Sequence, residues 1–166
     1  MTFIKKLFNK NKSDRTNGGI RKVLDKNLPK YVNSTEIVGF ECDFYKRAAI
    51  SADKDVLDGE YRLTCEKIGE KICCRYSRKL SRNGNVDKIF DGDENLLISL
   101  EKAVREENIA RLNGLETFVS GLPRNYGAKL SVRYSSGESI ETSNNQQVDL
   151  PSTAIERFVK IFESYI

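Results

Sequence analysis

The chain has no histidine and no tryptophan among its 166 residues. Without an imidazole, Ser-His-Asp and Cys-His nucleophilic catalysis, His-ligated zinc and an imidazole general base near neutral pH are all excluded. An enzyme made from this sequence is confined to carboxylate, Lys or Cys chemistry. Long apolar runs are missing as well. Lys5 and Lys6 interrupt the run from Phe3 to Phe8, short of the about 7–15 residues that a signal peptide needs. No stretch approaches the roughly 18 apolar residues of a membrane span. The expectation is a cytoplasmic protein. The four cysteines, Cys42, Cys65, Cys73 and Cys74, contain no Cys-x-x-Cys pair, so a zinc site is not indicated. They read as free thiols used as small hydrophobes in strands. Cys73 is the nucleophile candidate by default, because Lys71 and Arg75 beside it would favour a thiolate.

Hydrophobic residues are 39% and charged residues 31% of the chain, against about 45–50% and a quarter in ordinary domains. The charge is unevenly placed. Residues 1–30 hold nine basic and two acidic residues, which is +7, so the total of +4 leaves −3 for the rest. The expected organisation is a basic, partly disordered leader over 1–34 and a single domain over 35–166, since one domain of this size is the default. Lys5, Lys6, Lys10 and Lys12 are the leader's candidate contacts. With Phe3, Ile4, Leu7 and Phe8 on one side of a short helix, they suit a weak membrane-surface contact. Alternatively they suit a salt-sensitive, nonspecific contact with nucleic acid, or a solvated tail.

From Glu36 the period is two. Val38, Phe40, Cys42 and Phe44 alternate with polar neighbours, as do Tyr61, Leu63 and Cys65, and then Ile72, Cys74 and Tyr76. These are half-buried strands, the last two joined by a hairpin at Gly69-Glu70. A helix follows, with Asp93 as its N-cap and Leu96, Leu97, Leu100, Ala103 and Val104 on one face. Glu101 and Arg105 pair on its outer side. Residues 109–119 read as extended and irregular, punctuated by Asn113-Gly114. Ala128, Leu130, Val132 and Tyr134 form a fourth strand, and Ser136-Gly137 turns it onto a fifth holding Ile140 and Thr142. Thr153 and Glu156 are spaced as a capping box for a last helix whose stripe is Ile155, Phe158, Val159, Phe162 and Ile166. The fold class is therefore two-layer α+β in the order β-β-β-α-β-β-α, with about five antiparallel strands and two helices on one face.

The uncovered sheet face would carry Glu41, Asp43, Arg62, Lys71, Arg75, Lys129 and Arg133. A face that stacks single-stranded RNA needs aromatics, and Tyr45 is the one that alternation places there. The face is either a solvated surface of cross-strand charge pairs or a surface for another protein. Asp91 to Asn95 resembles the start of a calcium loop, but Leu96 and Lys102 stand where that loop needs Gly and Glu. Asp53, Asp55 and Asp58 form an acidic loop. No metal site and no cofactor is indicated.

The run Asn108-Ile109-Ala110-Arg111-Leu112-Asn113-Gly114-Leu115, followed by Leu130 to Tyr134 and Ser136 to Ile140, resembles a group of uncharacterised α+β domains common in gut bacteria. In those domains a helix leads to an extended Asn-apolar, aromatic, Asn/Asp-Gly segment, then a strand hairpin and a C-terminal helix. Leu112 stands where they often have Trp. The resemblance covers residues 36–166 and implies the fold alone, with no activity and no site. The functional expectation is a small noncatalytic binding or interaction domain with no specific ligand inferred. Two alternatives stand beside it: a His-free enzyme, and a peripheral membrane or nucleic-acid binder acting through the leader.

Overall fold

The computed structural model describes residues 19–46, 59–79, 84–123, 126–146 and 150–166. Lys5, Lys6, Lys10 and Lys12 of the leader lie outside these residues, as does the acidic loop of Asp53, Asp55 and Asp58. The strands before the first helix are β1 (Ile20–Leu24), β2 (Ile37–Lys46), β3 (Gly59–Ile68), β4 (Lys71–Lys79) and β5 (Asn85–Gly92). Helix α1 (Glu94–Glu106) and a 3-10 turn (Ile109–Leu112) lead to β6 (Leu115–Val119), β7 (Ala128–Tyr134) and β8 (Ser139–Asn144), and α2 (Ser152–Glu163) follows.

All eight strands lie in one sheet, in the order β1-β6-β8-β7-β2-β3-β4-β5. Every neighbouring pair is antiparallel except β6 and β8, which are parallel. The expectation of about five antiparallel strands is thus corrected to eight strands in a mixed sheet. Two of the three additional strands share a physical cause. β1 and β5 are the two edges of the sheet, and an edge strand has less of itself to bury. Every residue of β1 is exposed, and Ile89 in β5 is 79% exposed, so neither shows a period of two. β6 is five residues long. Residues 20–34, read as leader from the sequence, run along the domain. Ile20–Leu24 pair with Val119–Leu115, and the backbone N–H groups of Asn33 and Ser34 donate to the Glu138 carboxylate at 3.0 Å each.

Alternation sorts β2, β3, β4, β7 and β8 into a covered and an open face. Phe40, Cys42, Phe44, Leu63, Cys65, Cys74, Tyr76, Leu130 and Val132 join Leu96, Leu100, Phe158 and Phe162 in one core. Helices α1 and α2 pack on each other and on this covered face. Because β5 and β6 lie toward opposite edges, α1 also carries the chain from one side of the sheet to the other. The Asp93 side chain accepts from the Leu96 N–H at 2.9 Å and caps α1. It also accepts from the Tyr165 hydroxyl at 2.6 Å, which fastens the end of α2 to the start of α1. The capping box expected at Thr153 and Glu156 does not form. Pro151 is the N-cap of α2, without a side-chain bond. The Thr153 hydroxyl is turned to Glu107 at 2.6 Å, so it ties the helices together rather than closing its own.

Three buried asparagines bond to the backbone around the parallel part of the sheet, Asn113 and Asn145 across it and Asn144 to β7. Asn113 accepts from the Glu141 N–H at 2.9 Å and donates to the carbonyls of Ser139 and Pro29 at 3.0 Å each. Asn145 accepts from the Val119 N–H at 2.7 Å and donates to the carbonyls of Val119 and Leu122 at 3.0 and 3.2 Å. Asn144 accepts from the Ala128 N–H at 3.1 Å. The first two use their amides as a strand uses its peptide groups, at either end of a three-pair ladder between β6 and β8.

Candidate functional site

The open face is concave. Its hollow, about 790 Å³, lies toward the end of the sheet where β2 finishes and β3 begins. One cross-strand row forms its floor. Lys129 on β7, Asp43 on β2, Arg62 on β3, Ser77 on β4 and Asp87 on β5 stand side by side in register, and all five line the hollow. Register fixes this row because a slip of one residue would turn each side chain into the core. Glu60, Lys79 and Asn85 extend the lining toward the end of the sheet, and Phe118 contributes an apolar wall from β6. At the same end Tyr45 packs edge-on against Tyr126, with ring centroids 5.2 Å apart.

The charges on this face are paired across strands. Arg62 lies 3.3 Å from Glu41 and 3.6 Å from Asp43. Lys129 lies 3.4 Å from Glu41. Arg75 grips Asp87 through two hydrogen bonds of 2.8 and 2.7 Å. Arg133 pairs with Glu66 by reaching over Gly39, which stands between them on β2. A Cβ on Gly39 would collide with the Arg133 guanidinium, so a glycine is what lets the pair close.

Asp43 differs from the other acids. It is half-buried, and its Oδ1 accepts no hydrogen bond, since the Arg62 nitrogen at 3.6 Å is beyond hydrogen-bond reach. Burial, reinforced by Glu41, raises its pKa against the lowering pull of Arg62 and Lys129. The Arg75 hydrogen bonds lower that of Asp87 in the same hollow. A carboxylate oxygen that is out of water and accepts no hydrogen bond is costly.

The sign of the consequence can be measured. Protonation of Asp43 is easier in the folded chain than in the unfolded chain. As pH rises from its ordinary value of 3.8 through the raised one, the folded state loses stability relative to a chain with a neutral group there. Asp43→Asn is expected to match the parent in urea unfolding at acid pH and to be the more stable protein at neutral pH. A carboxyl-detected NMR titration should place the Asp43 midpoint above 3.8. A midpoint at or below that value would contradict the desolvated state described here.

Of the residues the sequence places on the open face, Asp43, Arg62, Arg75 and Lys129 line the hollow. Glu41 stands one row away and holds Arg62 and Lys129. Arg133 is engaged with Glu66 outside the hollow. Lys71 lies at the far end of β4, opposite Ile68 beside the Gly69-Glu70 turn. Glu60, Ser77 and Lys79 were within reach of the same alternation that picks out Arg62 and Arg75. Asp87 and Phe118 were not, because they sit on β5 and β6. Cys73 is exposed on the open face, while Cys42, Cys65 and Cys74 are buried. Among the described residues, no group of three or more His, Cys, Asp or Glu is placed to hold a metal ion. No helix among them is long and apolar enough to cross a membrane.

No family model, curated protein or solved structure matches this chain.

Proposed function

We propose that the chain is a noncatalytic interaction domain whose concave sheet face takes a polypeptide segment of a partner protein. The observation that carries this reading is Asp43, a half-buried carboxylate whose Oδ1 accepts no hydrogen bond within the chain, set in the floor of a hollow of about 790 Å³. A hollow of about 300–1,000 Å³ is the size of a ligand site. Both signs of charge face into it, with Arg62, Lys79 and Lys129 near Asp43 and Glu60. A peptide carries the matching set, namely backbone N–H and C=O groups together with acidic and basic side chains. Nucleic acid fits less well, since its backbone offers one sign of charge and three acids face the hollow.

The test uses the full chain in the cell that makes it, with a photo-crosslinking side chain placed at Ser77 in the floor or, as control, at Ile98 on the outer side of α1. The expected result is one crosslinked protein from position 77 and none from position 98, with the adduct lost in Arg62→Glu and reduced in Asp43→Asn. Equal crosslinking at both positions, or an adduct with nucleic acid, would reject the proposal. A second reading, acid–base chemistry at Asp43, is favoured by its raised pKa. It predicts the opposite response, an adduct that accumulates in Asp43→Asn because a bound substrate is no longer turned over.

A further inference from the structure

The covered face of the sheet holds a second feature, unconnected with the hollow. Cys65 on β3 and Cys74 on β4 stand directly opposite each other. They are 1% and 2% exposed, and their sulfurs are 2.7 Å apart. A disulfide requires a separation of about 2.03–2.05 Å and Cα atoms about 4.4–6.8 Å apart. Directly opposed residues of antiparallel strands have Cα atoms about 4.5–5.5 Å apart. The two sulfurs therefore need to move by only a fraction of an ångström, and the backbone is already in range.

Two local features keep them there. The Gly69-Glu70 turn, with Gly69 at φ +63°, fixes the hairpin register that puts the two cysteines on the same face. Gly92 on β5 brings its N–H to the Cys74 sulfur. A Cβ on Gly92 would lie 2.8 Å from that sulfur, so a larger residue would push them apart. The hydrogen bonds from Cys65 and from the Gly92 backbone stabilise Cys74 as the thiolate. The same contact raises Cys65, which keeps its proton. The other two cysteines are not competitors for this bond. Cys73 faces the opposite side of the sheet, and Cys42 stands opposite Leu63.

We propose that Cys65 and Cys74 are a two-electron redox pair that hydrogen peroxide closes into a cross-strand disulfide. The Cys74 thiolate attacks one peroxide oxygen and breaks the O–O bond. The departing hydroxide takes up the proton that Cys74 had released and leaves as water. The Cys65 sulfur then attacks the sulfenic sulfur of Cys74, the S–S bond forms, and the sulfenic oxygen leaves with the Cys65 proton as a second water. Two thiols are oxidised and one peroxide is reduced. The oxidant has to be small because both sulfurs are covered, and hydrogen peroxide is little larger than water. β4 lies one strand in from the β5 edge, and edge elements are where local opening begins.

The experiment treats the reduced full chain and Cys73→Ser with hydrogen peroxide under native conditions, then alkylates in denaturant. Both proteins are expected to lose two alkylated positions together. Peptide mapping should join Cys65 to Cys74, and dithiothreitol should restore both thiols. In Cys65→Ser, dimedone should label Cys74. The proposal fails if peroxide oxidises Cys73 while Cys65 and Cys74 remain alkylatable. It also fails if Cys74 proceeds to the sulfinic acid with Cys65 still free. Cys73→Ser changes an exposed position, so the main result does not depend on the folding of a core variant.

Discussion

Phe158→Ala is expected to destabilise the domain by about 3–5 kcal/mol, the range for emptying an aromatic site in a core. Phe158 is 0% exposed and sits in the middle of α2. Its ring meets that of Phe40 on β2 at 5.0 Å and 70°, the edge-to-face arrangement that contributes about 0.5–1.5 kcal/mol beyond burial. Phe40 also touches Phe162 at 6.1 Å, and Phe162 touches Phe90 on β5. Removing one ring therefore opens a cavity among aromatics that already brace each other, and rings held on three sides cannot collapse into it easily. Domains of this size have about 5–15 kcal/mol in total, so the loss is a large fraction of the whole. At roughly 2–4 °C per kcal/mol, the melting temperature should fall by about 10 °C. Arg157→Ala, the neighbouring and partly exposed position, removes contacts to Glu106 and Glu107 that are only partly covered. It should cost less than about 1 kcal/mol. If the two substitutions cost the same in urea unfolding, the interlock between α2 and β2 is not what holds the helix layer.

Half-burial is what made parts of this fold legible from the sequence. β2, β3, β4 and β7 each have one face in the core and one in solvent, and Phe40-Cys42-Phe44 or Leu130-Val132-Tyr134 records that directly. The helices are legible for the same reason, because Leu96, Leu97 and Leu100 must share a side. β1 and β5 have little to bury, so Arg21-Lys22 looks like part of a basic tail and the stretch around Asp87-Lys88 shows no strand period. The gross charge of residues 1–30 describes a segment that is partly strand. The functional face shows a similar division. Asp43, Arg62, Arg75 and Lys129 can be found by alternation alone. That they stand in one row requires the register, and that the row is the floor of a hollow requires the neighbouring strands and Phe118 of β6 to be in place. Neither is written in any single segment. The Asn113-Gly114 pair looks like turn chemistry, and Gly114 does take φ +73°. The asparagine's larger role comes from strands that pass it only in the folded chain.

That role supplies the other large effect. Asn113→Ala is expected to cost about 3 kcal/mol, at roughly 1 kcal/mol for each lost hydrogen bond. Asn113 is 3% exposed. Its amide is bonded at three points, to the Glu141 N–H and to the carbonyls of Ser139 and Pro29, and the Gly114 N–H beside it donates to the Glu141 carbonyl at 2.7 Å. The side chain thus continues the β6–β8 ladder past the three residue pairs that the backbone supplies. It also pins the segment that leads from β1 toward β2. Since β1 is paired in the sheet with β6 alone, loosening β6 should release both. Asn113→Asp separates this account from one based on packing. Aspartate keeps the size and the acceptor for Glu141, but it cannot donate to Pro29 or Ser139 and turns a negative charge on their carbonyl oxygens. It should therefore be no better than alanine, and its deficit should shrink as acid protonates it and restores one donor. Hydrogen exchange should speed up at Glu141 and through β1, β6 and β8 in both variants, while the β2–β3–β4 amides stay protected, because their ladder owes nothing to the asparagine. An Asn113→Asp protein as stable as the parent at neutral pH would show that the amide's two donated bonds hold no weight, and that the parallel part of the sheet stands on its three backbone pairs.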